Sequence, residues 1–344
     1  MNDLTQVDHL LSSFCTQKIT KATTLHRRYG ELWQEISHYL AAGGKRIRPR
    51  LVIFGYEAYK TKAVHQDITP IAAAWELLHA CLLVHDDIID RDILRHGQPN
   101  IAGRYQTIYG SNNEHYALSA ALLGGDLLLM SAYEMISSAD VSPEAKQLAL
   151  SHLNAALFTV AGGELIDTDS ALYPVTDSDP YAVAAYKTAS YSLQLPLQCG
   201  AAVAGASEDE LEKLSSIGLH VGVAYQFRDD LLGVFGNSEE TGKSNRSDIL
   251  EKKRTALIHE TLNRLDTAAA TRLSELYAPE HVITSKEAEE VVALILQSGA
   301  KEATERIVEA ESAKALSGIE ALNIHAQHKE YLSGIIAKLI TRTR

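Results

Sequence analysis

The segment 77–90, LLHACLLVHDDIID, ends an otherwise apolar run with three aspartates. The apolar run leaves no face for water, so a helix here must be buried. Asp86 and Asp87 lie four and three residues before Asp90, so we expect the helix to carry all three into one interior. Buried like charges are costly unless compensated, and Mg²⁺ is bound through one or two carboxylates and substrate phosphates. The alternative is a solvated acidic helix end.

A second acidic pair repeats this pattern 143 residues further along the chain. The apolar segment 217–225 leads into Gln226, Phe227, Arg228, Asp229 and Asp230. If the two helices face each other, their five carboxylates line one cavity. Such a cavity would hold two or three Mg²⁺ ions on a diphosphate.

Composition limits the class of protein. The chain has 344 residues, 46% of them hydrophobic, and a net charge of −12, which argues against nucleic-acid binding. No run of eighteen apolar residues is present, so we expect no transmembrane segment, although peripheral membrane contact for product release stays open. Three cysteines in apolar contexts, with no predicted signal peptide, predict reduced thiols and a cytoplasmic protein.

Helical periodicity recurs throughout and strand signals are weak, which predicts an all-α fold with 1–344 as a single domain. Pro49 should start one helix, and Pro196 should kink another. We expect a loop at 92–112, a mobile flap at 236–252, and three or four helices in 253–341. The remaining predicted helices span 3–20, 26–42, 49–60, 70–91, 113–138, 142–169, 180–204 and 207–235.

Cationic side chains follow or precede these helices. A basic loop contains Gly43, Gly44, Lys45, Arg46 and Arg48, whose backbone N–H groups and cationic heads suit a phosphate, although a solvated basic turn fits the same spacing. Mid-helix Lys187 would equally reach the surface along its own stem. No nucleophilic triad or zinc-type Cys/His spacing is present in the sequence. The other candidate cations are Arg95, Lys243 and Lys253.

Seven motifs follow one another along residues about 40–255. They are GGKRIRPR at 43–50, LLHACLLVHDDIID at 77–90, RDILRHGQP at 91–99, GGD at 124–126, KTA at 187–189, YQFRDDLLGVFG at 225–236 and GK at 242–243. In sequence and order they resemble the motifs of the trans-isoprenyl diphosphate synthases, or polyprenyl synthetases, and most of all those of bacterial geranylgeranyl diphosphate synthases. The resemblance implies a helical bundle of the isoprenoid synthase type with a central active-site cavity, forming a homodimer.

The resemblance implies a reaction and a role for each matching residue. Mg²⁺, three ions per site, would be held by Asp86, Asp90 and Asp229, with Asp87 and Asp230 beside them. Thr188 and Gln226 would place oxygens near an allylic cation. Arg95, Lys187 and Lys253 would help to neutralise the allylic diphosphate, and Lys243 would bind substrate from the flap. Isopentenyl diphosphate would be bound by Gly44, Lys45, Arg48 and His79, with His96 at the position of a second arginine.

Two departures from the family pattern affect these roles. His96 stands where a second arginine is usual, so we expect isopentenyl diphosphate binding to weaken as the pH rises. Glu164 stands where many members have glutamine. Cys81, five residues before Asp86, is small where short-chain members carry a bulky aromatic, and Leu82 beside it is of medium size. We therefore expect a geranylgeranyl or longer product.

Other readings of the same residues remain. A class I terpene cyclase also uses an acidic cluster on a buried helix, but would not need the basic loop at 43–48. A head-to-head squalene or phytoene type synthase would likewise lack that loop. A non-catalytic regulatory subunit of a heteromeric synthase commonly loses its acidic motifs, whereas both are present here.

Overall fold

The computed structural model describes residues 4–42, 44–60, 68–95, 97–236 and 245–340. Within these ranges the chain is almost entirely helical. The strands assigned there are the two-residue β1 (Leu94–Arg95) and β2 (Gln98–Pro99), paired antiparallel. The all-α prediction is confirmed.

The chain divides into two compact units. Unit 1 comprises Met1–Leu153 and Gln198–Ala206, and unit 2 comprises Asn154–Leu197 and Ser207–Arg344. The first acidic motif belongs to unit 1 and the second to unit 2. A single domain over 1–344, and a cavity lined by both motifs, stay predictions.

Unit 1 is built around one buried helix, α4, which packs along α6 and also contacts α1 and α3. Trp75, Leu77 and Leu78 of α4 are fully buried, as its apolar run predicts. The helices of unit 1 are α1 (Thr5–Leu25), α2 (Arg27–Ala41), α3 (Ile47–Tyr59), α4 (Thr69–Ile89), α5 (Ile101–Tyr109), α6 (Glu114–Ser138) and the first part of α7 (Pro143–Asp169).

Unit 2 has its core around α10, which packs against α15 and against a π-helix. Phe227 of α10 is fully buried. Its ring packs edge to face against that of Tyr181, with 4.8 Å between the two ring centroids. The helices of unit 2 that follow the end of α7 are α8 (Pro180–Val183), the π-helix (Ala184–Gln194), α9 (Leu195–Val203, shared with unit 1), α10 (Glu208–Phe235), α11 (Ser247–Leu250), α12 (Ala256–Leu262), α13 (Thr267–Leu276), α14 (Ser285–Ser298), α15 (Ala300–Glu320) and α16 (Ala326–Ile340).

Four sequence predictions were wrong in detail. Helix α3 begins at Ile47, two residues before Pro49. The expected loop at 92–112 contains α5, whose first turn is capped by the Asn100 side chain accepting the Gly103 N–H at 2.9 Å. The helix at 180–204 leaves α geometry at Ala184, well before Pro196. Residues 253–341 contain five helices within the described range.

One stretch in the described part of the chain, Ser111–Ser138, is long and apolar enough to cross a membrane by length and composition alone. About half of its apolar window, 44%, is buried inside the protein. Its helix α6 packs along α4, and a core helix meets the same length and composition test.

Candidate active site

The first acidic motif occupies the C-terminal end of α4. Asp87 is buried, Asp86 is partly buried with its side chain 23% exposed, and Asp90 is exposed. The expectation that all three carboxylates enter the interior therefore holds for Asp87 and in part for Asp86. Asp90 differs because α4 ends at Ile89, which makes Asp90 the C-cap residue, past the last buried turn.

Arg95 joins two of these carboxylates. From β1, its Nη2 donates to Asp86 Oδ2 over 2.8 Å and its Nε donates to Asp87 Oδ1 over 2.7 Å. Burial lowers the pKa of Arg95, but the hydrogen bond and charge of Asp87 outweigh this and raise it overall. The motif therefore holds a permanent cation beside Asp86 at the end of α4.

Tyr39 is a member of this cluster that sequence reasoning missed. Its hydroxyl donates to Asp87 Oδ2 over 3.3 Å from α2, 48 residues before Asp87 in the chain. Burial raises the pKa of Asp87, and the bonds from Arg95 oppose that rise. With Tyr39 on one oxygen and Arg95 on the other, Asp87 orients the arginine. No local pattern around Tyr39 signals this contact.

The residues of the basic loop differ in whether they bind within unit 1 or are exposed to solvent. Arg46 has a left-handed backbone with φ of 47° and donates to Glu76 over 2.6 Å, to Asp8 over 3.0 Å and to the Leu40 carbonyl over 2.8 Å. Its guanidinium is thus used within unit 1. Gly44 and Lys45 are exposed, and Arg48 is partly buried.

Cys81 and Leu82 lie on α4, just over one turn before Asp86. Cys81 is 1% exposed, and its Sγ is 3.8 Å from His85 Nδ1. Burial, together with the charge of Asp126 on α6, raises the pKa of the Cys81 thiol to about 12. Leu82 is partly buried, and so is His79, three residues earlier on the same helix.

The second acidic motif separates its two aspartates by environment. Asp229 is exposed on α10, whereas Asp230 is buried and accepts the Gln226 Nε2 hydrogen bond at 3.0 Å and the Ala256 backbone N–H at 2.9 Å. Burial raises the pKa of Asp230 to about 7 despite both bonds. Asp230 therefore binds the first turn of α12, and Asp229 is the more accessible of the two carboxylates.

The π-helix carries Lys187 and Thr188. Thr188 Oγ1 donates to Gln226 Oε1 over 2.7 Å. The π-helix backbone lies so close to two glycines that a Cβ on Gly163 would be 2.4 Å from the Lys187 nitrogen, and one on Gly222 would be 2.2 Å from the Ala189 Cβ. Glycines at both positions let α7 and α10 approach the π-helix this closely, and such irregular helices are frequent at functional sites.

The Lys187 ammonium makes two ion pairs with α7. It is 3.0 Å from Glu164 Oε2 and 2.7 Å from Asp167 Oδ2, and its side chain is 23% exposed. Lys187 therefore does not simply extend along its stem to the surface, the alternative that the sequence leaves open.

Lys253, after α11, has a side chain that is 40% exposed. His96 and Lys243 lie outside the described residues. Across the ranges that the structure covers, no three His, Cys, Asp or Glu side chains are grouped so as to hold a metal ion by themselves. The roles assigned to individual residues stay predictions.

Comparison with known proteins shows the family. A family model described as polyprenyl synthetase matches residues 30–295, and the chain belongs to this family. A short chain isoprenyl diphosphate synthase of Methanocaldococcus jannaschii is 32% identical, over 73% of this chain and 72% of its own. A geranylfarnesyl diphosphate synthase of Aeropyrum pernix is 27% identical, over 89% of this chain and 93% of its own.

Solved structures agree with this assignment. The geranylgeranyl pyrophosphate synthase of Corynebacterium glutamicum, solved with isoprenyl diphosphate and magnesium, superposes with a TM-score of 0.87. It is 28% identical, and the match covers 99% of this chain and 100% of that one. The family resemblance and the isoprenoid synthase type of fold are confirmed. The relatives are isoprenyl diphosphate synthases, so this protein is a prenyltransferase.

Proposed function

We propose that the protein is a Mg²⁺-dependent head-to-tail prenyltransferase. It condenses isopentenyl diphosphate with an allylic diphosphate to give a longer all-trans polyprenyl diphosphate, geranylgeranyl or longer. The observation that carries the proposal is Arg95 held on Asp86 and Asp87, which joins a permanent cation to the family's first acidic motif. The proposal assigns the protein to the cytoplasm.

The available carboxylates suit magnesium. Asp86, Asp90 and Asp229 offer hard oxygen ligands that are at least partly exposed. Mg²⁺ usually takes only one or two carboxylates and completes its shell with waters and substrate phosphates, so a cage of protein ligands is not required. We assign three ions to these aspartates. When bound, they neutralise the diphosphate and make it a better leaving group.

Different cationic side chains bind the two diphosphate substrates. Arg95, Lys187 and Lys253 bind the allylic diphosphate, together with Lys243. Isopentenyl diphosphate is bound by the Gly44 backbone N–H, Lys45, Arg48 and His79, with a further contact from His96. The exposure of Lys45 supports this division, because the neighbouring Arg46 is occupied within unit 1.

The reaction then needs little covalent chemistry from the protein. The bond between C1 and the diphosphate oxygen of the allylic substrate breaks, and the double bond of isopentenyl diphosphate attacks C1. A proton then leaves the resulting cation, and the product is five carbons longer. The oxygens of Thr188 and Gln226 stabilise the developing positive charge, and the apolar surroundings exclude water, which would otherwise quench it.

The test is direct. Purified protein is incubated with Mg²⁺, farnesyl diphosphate and labelled isopentenyl diphosphate, and the products are separated by chain length. We expect extended diphosphates, whose formation stops with EDTA and returns with added Mg²⁺. Cyclised hydrocarbon would indicate a terpene cyclase instead. Absence of any product would support a regulatory subunit.

The exposed side of α7 supports the proposed homodimer. The exposed residues of α7 in unit 2 carry no charge, and two of them are large and apolar, with Phe158 84% exposed and Leu165 66% exposed. Large apolar side chains that are exposed on one helix face commonly mark an interaction surface. Light scattering of the wild type should give the mass of two chains. Phe158→Glu should give the mass of one.

A further inference from the structure

The segment 251–255 between α11 and α12 is fixed by Lys252 and Arg254, the two neighbours of Lys253 in the chain. The Lys252 ammonium donates to the carbonyls of Ala278 and Pro279, each over 3.0 Å. Arg254 donates to the carbonyl of Pro174 over 2.8 Å and to that of Tyr173. Each neighbour of Lys253 therefore binds two consecutive backbone carbonyls, in two different parts of unit 2.

Arg254 is committed to this contact. It is 8% exposed, and burial lowers its pKa, a cost that the nearby charge of Asp177 only partly offsets. A guanidinium that is removed from water needs hydrogen-bond acceptors, and the two peptide carbonyls accept from Nη1 and Nη2, while Nε is buried without a partner among the described residues. Arg254 is therefore used to hold the chain and is withdrawn from solvent.

The backbone conformation of Lys252 is also fixed by its surroundings. Its backbone has φ of 55°, in the left-handed region that side chains other than glycine rarely adopt. Such a conformation persists when surrounding contacts enforce it. The two bonds from its ammonium to the carbonyls after α13 are contacts of that kind.

The backbone of Lys253 is also fixed on both sides. Its own N–H donates to the Asp248 carbonyl over 2.8 Å, and three residues later the Ala256 N–H donates to Asp230 over 2.9 Å. The Lys253 ammonium lies 3.4 Å from Glu251 and 3.9 Å from Asp248, and its side chain is 40% exposed. Of the three consecutive cations at 252–254, Arg254 is buried and Lys252 donates to two backbone carbonyls, whereas Lys253 keeps a side chain that is 40% exposed on a fixed backbone.

We propose that Lys252 and Arg254 are positioning residues, which hold Lys253 where it binds the diphosphate of the allylic substrate. The inference rests on the proposed function, since that function assigns Lys253 to this diphosphate. It adds that two further cations act through Lys253 and do not contact the substrate.

The test uses inorganic pyrophosphate with Mg²⁺, titrated calorimetrically into the full-length protein. Lys252→Met and Arg254→Met remove the carbonyl contacts, and each is made both alone and together with Lys253→Ala. Lys252→Gly removes the ammonium but adopts the left-handed backbone without strain, so it should lose less stability than Lys252→Met. Arg254→Lys keeps a cation for one carbonyl. Lys314→Met is the control, since Lys314 is 57% exposed and pairs with Glu311.

We expect each Met variant, and Lys252→Gly, to weaken pyrophosphate binding by about tenfold, because small misplacements of a binding group are costly. Arg254→Lys should recover part of the loss, and Lys314→Met should bind as the wild type does. In the Lys253→Ala background the same changes should have little further effect, since residues that act through one group are not additive. In the elongation assay the KM for farnesyl diphosphate should rise and that for isopentenyl diphosphate should stay within about twofold.

Three results would overturn the inference. One is an equal loss of pyrophosphate affinity with and without Lys253. Another is a loss of pyrophosphate affinity that parallels the fall in melting temperature across the variants, with Lys252→Gly binding pyrophosphate as the wild type does. The third is a wild type that does not bind pyrophosphate. Failure of the proposed function is a separate result, namely a wild type that binds pyrophosphate and extends no allylic diphosphate.

Discussion

The hydroxyl of Thr188 donates to the side-chain oxygen of Gln226 over 2.7 Å, and this bond begins a chain of three. The Gln226 amide donates to Asp230 over 3.0 Å, and Asp230 accepts the backbone N–H of Ala256 over 2.9 Å. The π-helix, α10 and α12 are thereby linked through one polar network in unit 2. A network in which each bond orients the next fixes its end groups, here the Thr188 oxygen.

Removing the hydroxyl at Thr188 should slow the reaction. Thr188→Val keeps the shape but removes the oxygen that we assign to the allylic cation, and it leaves Gln226 without its donor. We expect kcat to fall by about tenfold or more, with smaller changes in either KM. Thr188→Ser keeps the oxygen and should retain most of the activity. A Val variant with wild-type kcat would refute this role.

Cys81→Tyr should shorten the product. Cys81 is 1% exposed and lies on α4 before the acidic motif, so a tyrosine there would fill space that we assign to the growing chain. Chromatography of the products should show a shift toward farnesyl length. Cys81→Ser is the matched control and should leave the product length unchanged. The melting temperature of the Tyr variant should be measured as well, because overpacking a core is destabilising.

The three thiols should be unreactive in the native protein. Cys15, Cys81 and Cys199 are free and buried, and burial raises the pKa of both Cys81 and Cys199 to about 12. The thiolate is the reactive form, so its fraction is very small at pH 8. A colourimetric disulfide reagent should therefore titrate none of them rapidly at pH 8 and all three after denaturation. Fast native labelling would contradict the burial.

Most of the helices could be predicted from the sequence, because their apolar periodicity is long and regular. Of the places where the prediction failed, one was decided by a short-range cap and another by contacts between residues that are distant in sequence. Asn100 caps a nine-residue helix that is too short for its periodicity to stand out. The π-helix depends on close approach at Gly163 and Gly222, which are distant in sequence and meet its backbone only in the fold.

The sequence predicts which residues form the candidate site, but not how deeply each one is buried or which side chains it contacts. The motif predicts that Asp229 and Asp230 are adjacent, and cannot tell which one is buried. That difference arises because Asp230 accepts the N–H of Ala256, 26 residues later. Tyr39 was missed for the same reason, since its contact with Asp87 joins two helices that are far apart in sequence.

His96 should make isopentenyl diphosphate binding depend on pH. A histidine loses its charge as the pH rises through its pKa, near 6.5 when unperturbed and higher beside an anion. The KM for isopentenyl diphosphate should therefore rise between pH 6 and pH 8.5. His96→Arg stays charged and should show a flatter profile. Identical profiles for the two proteins would exclude a contact between this side chain and the substrate.

Glu164→Gln should strengthen binding of the allylic diphosphate. Glu164 and Asp167 both pair with the Lys187 ammonium, at 3.0 and 2.7 Å, so they compete with the substrate for this cation. Glutamine can still accept a hydrogen bond from Lys187, but it removes one negative charge. Partly exposed ion pairs are weak, so we expect the KM for farnesyl diphosphate to fall only about threefold.

A matched control separates this local effect from a change in overall charge. Glu134→Gln removes the same charge from an ion pair with Lys18 in unit 1, where its side chain is 53% exposed, and should leave the KM unchanged. The KM for isopentenyl diphosphate should be unaffected by either change. If Glu164→Gln instead raises the KM for farnesyl diphosphate, the carboxylate serves to orient Lys187, and competition is not its main effect.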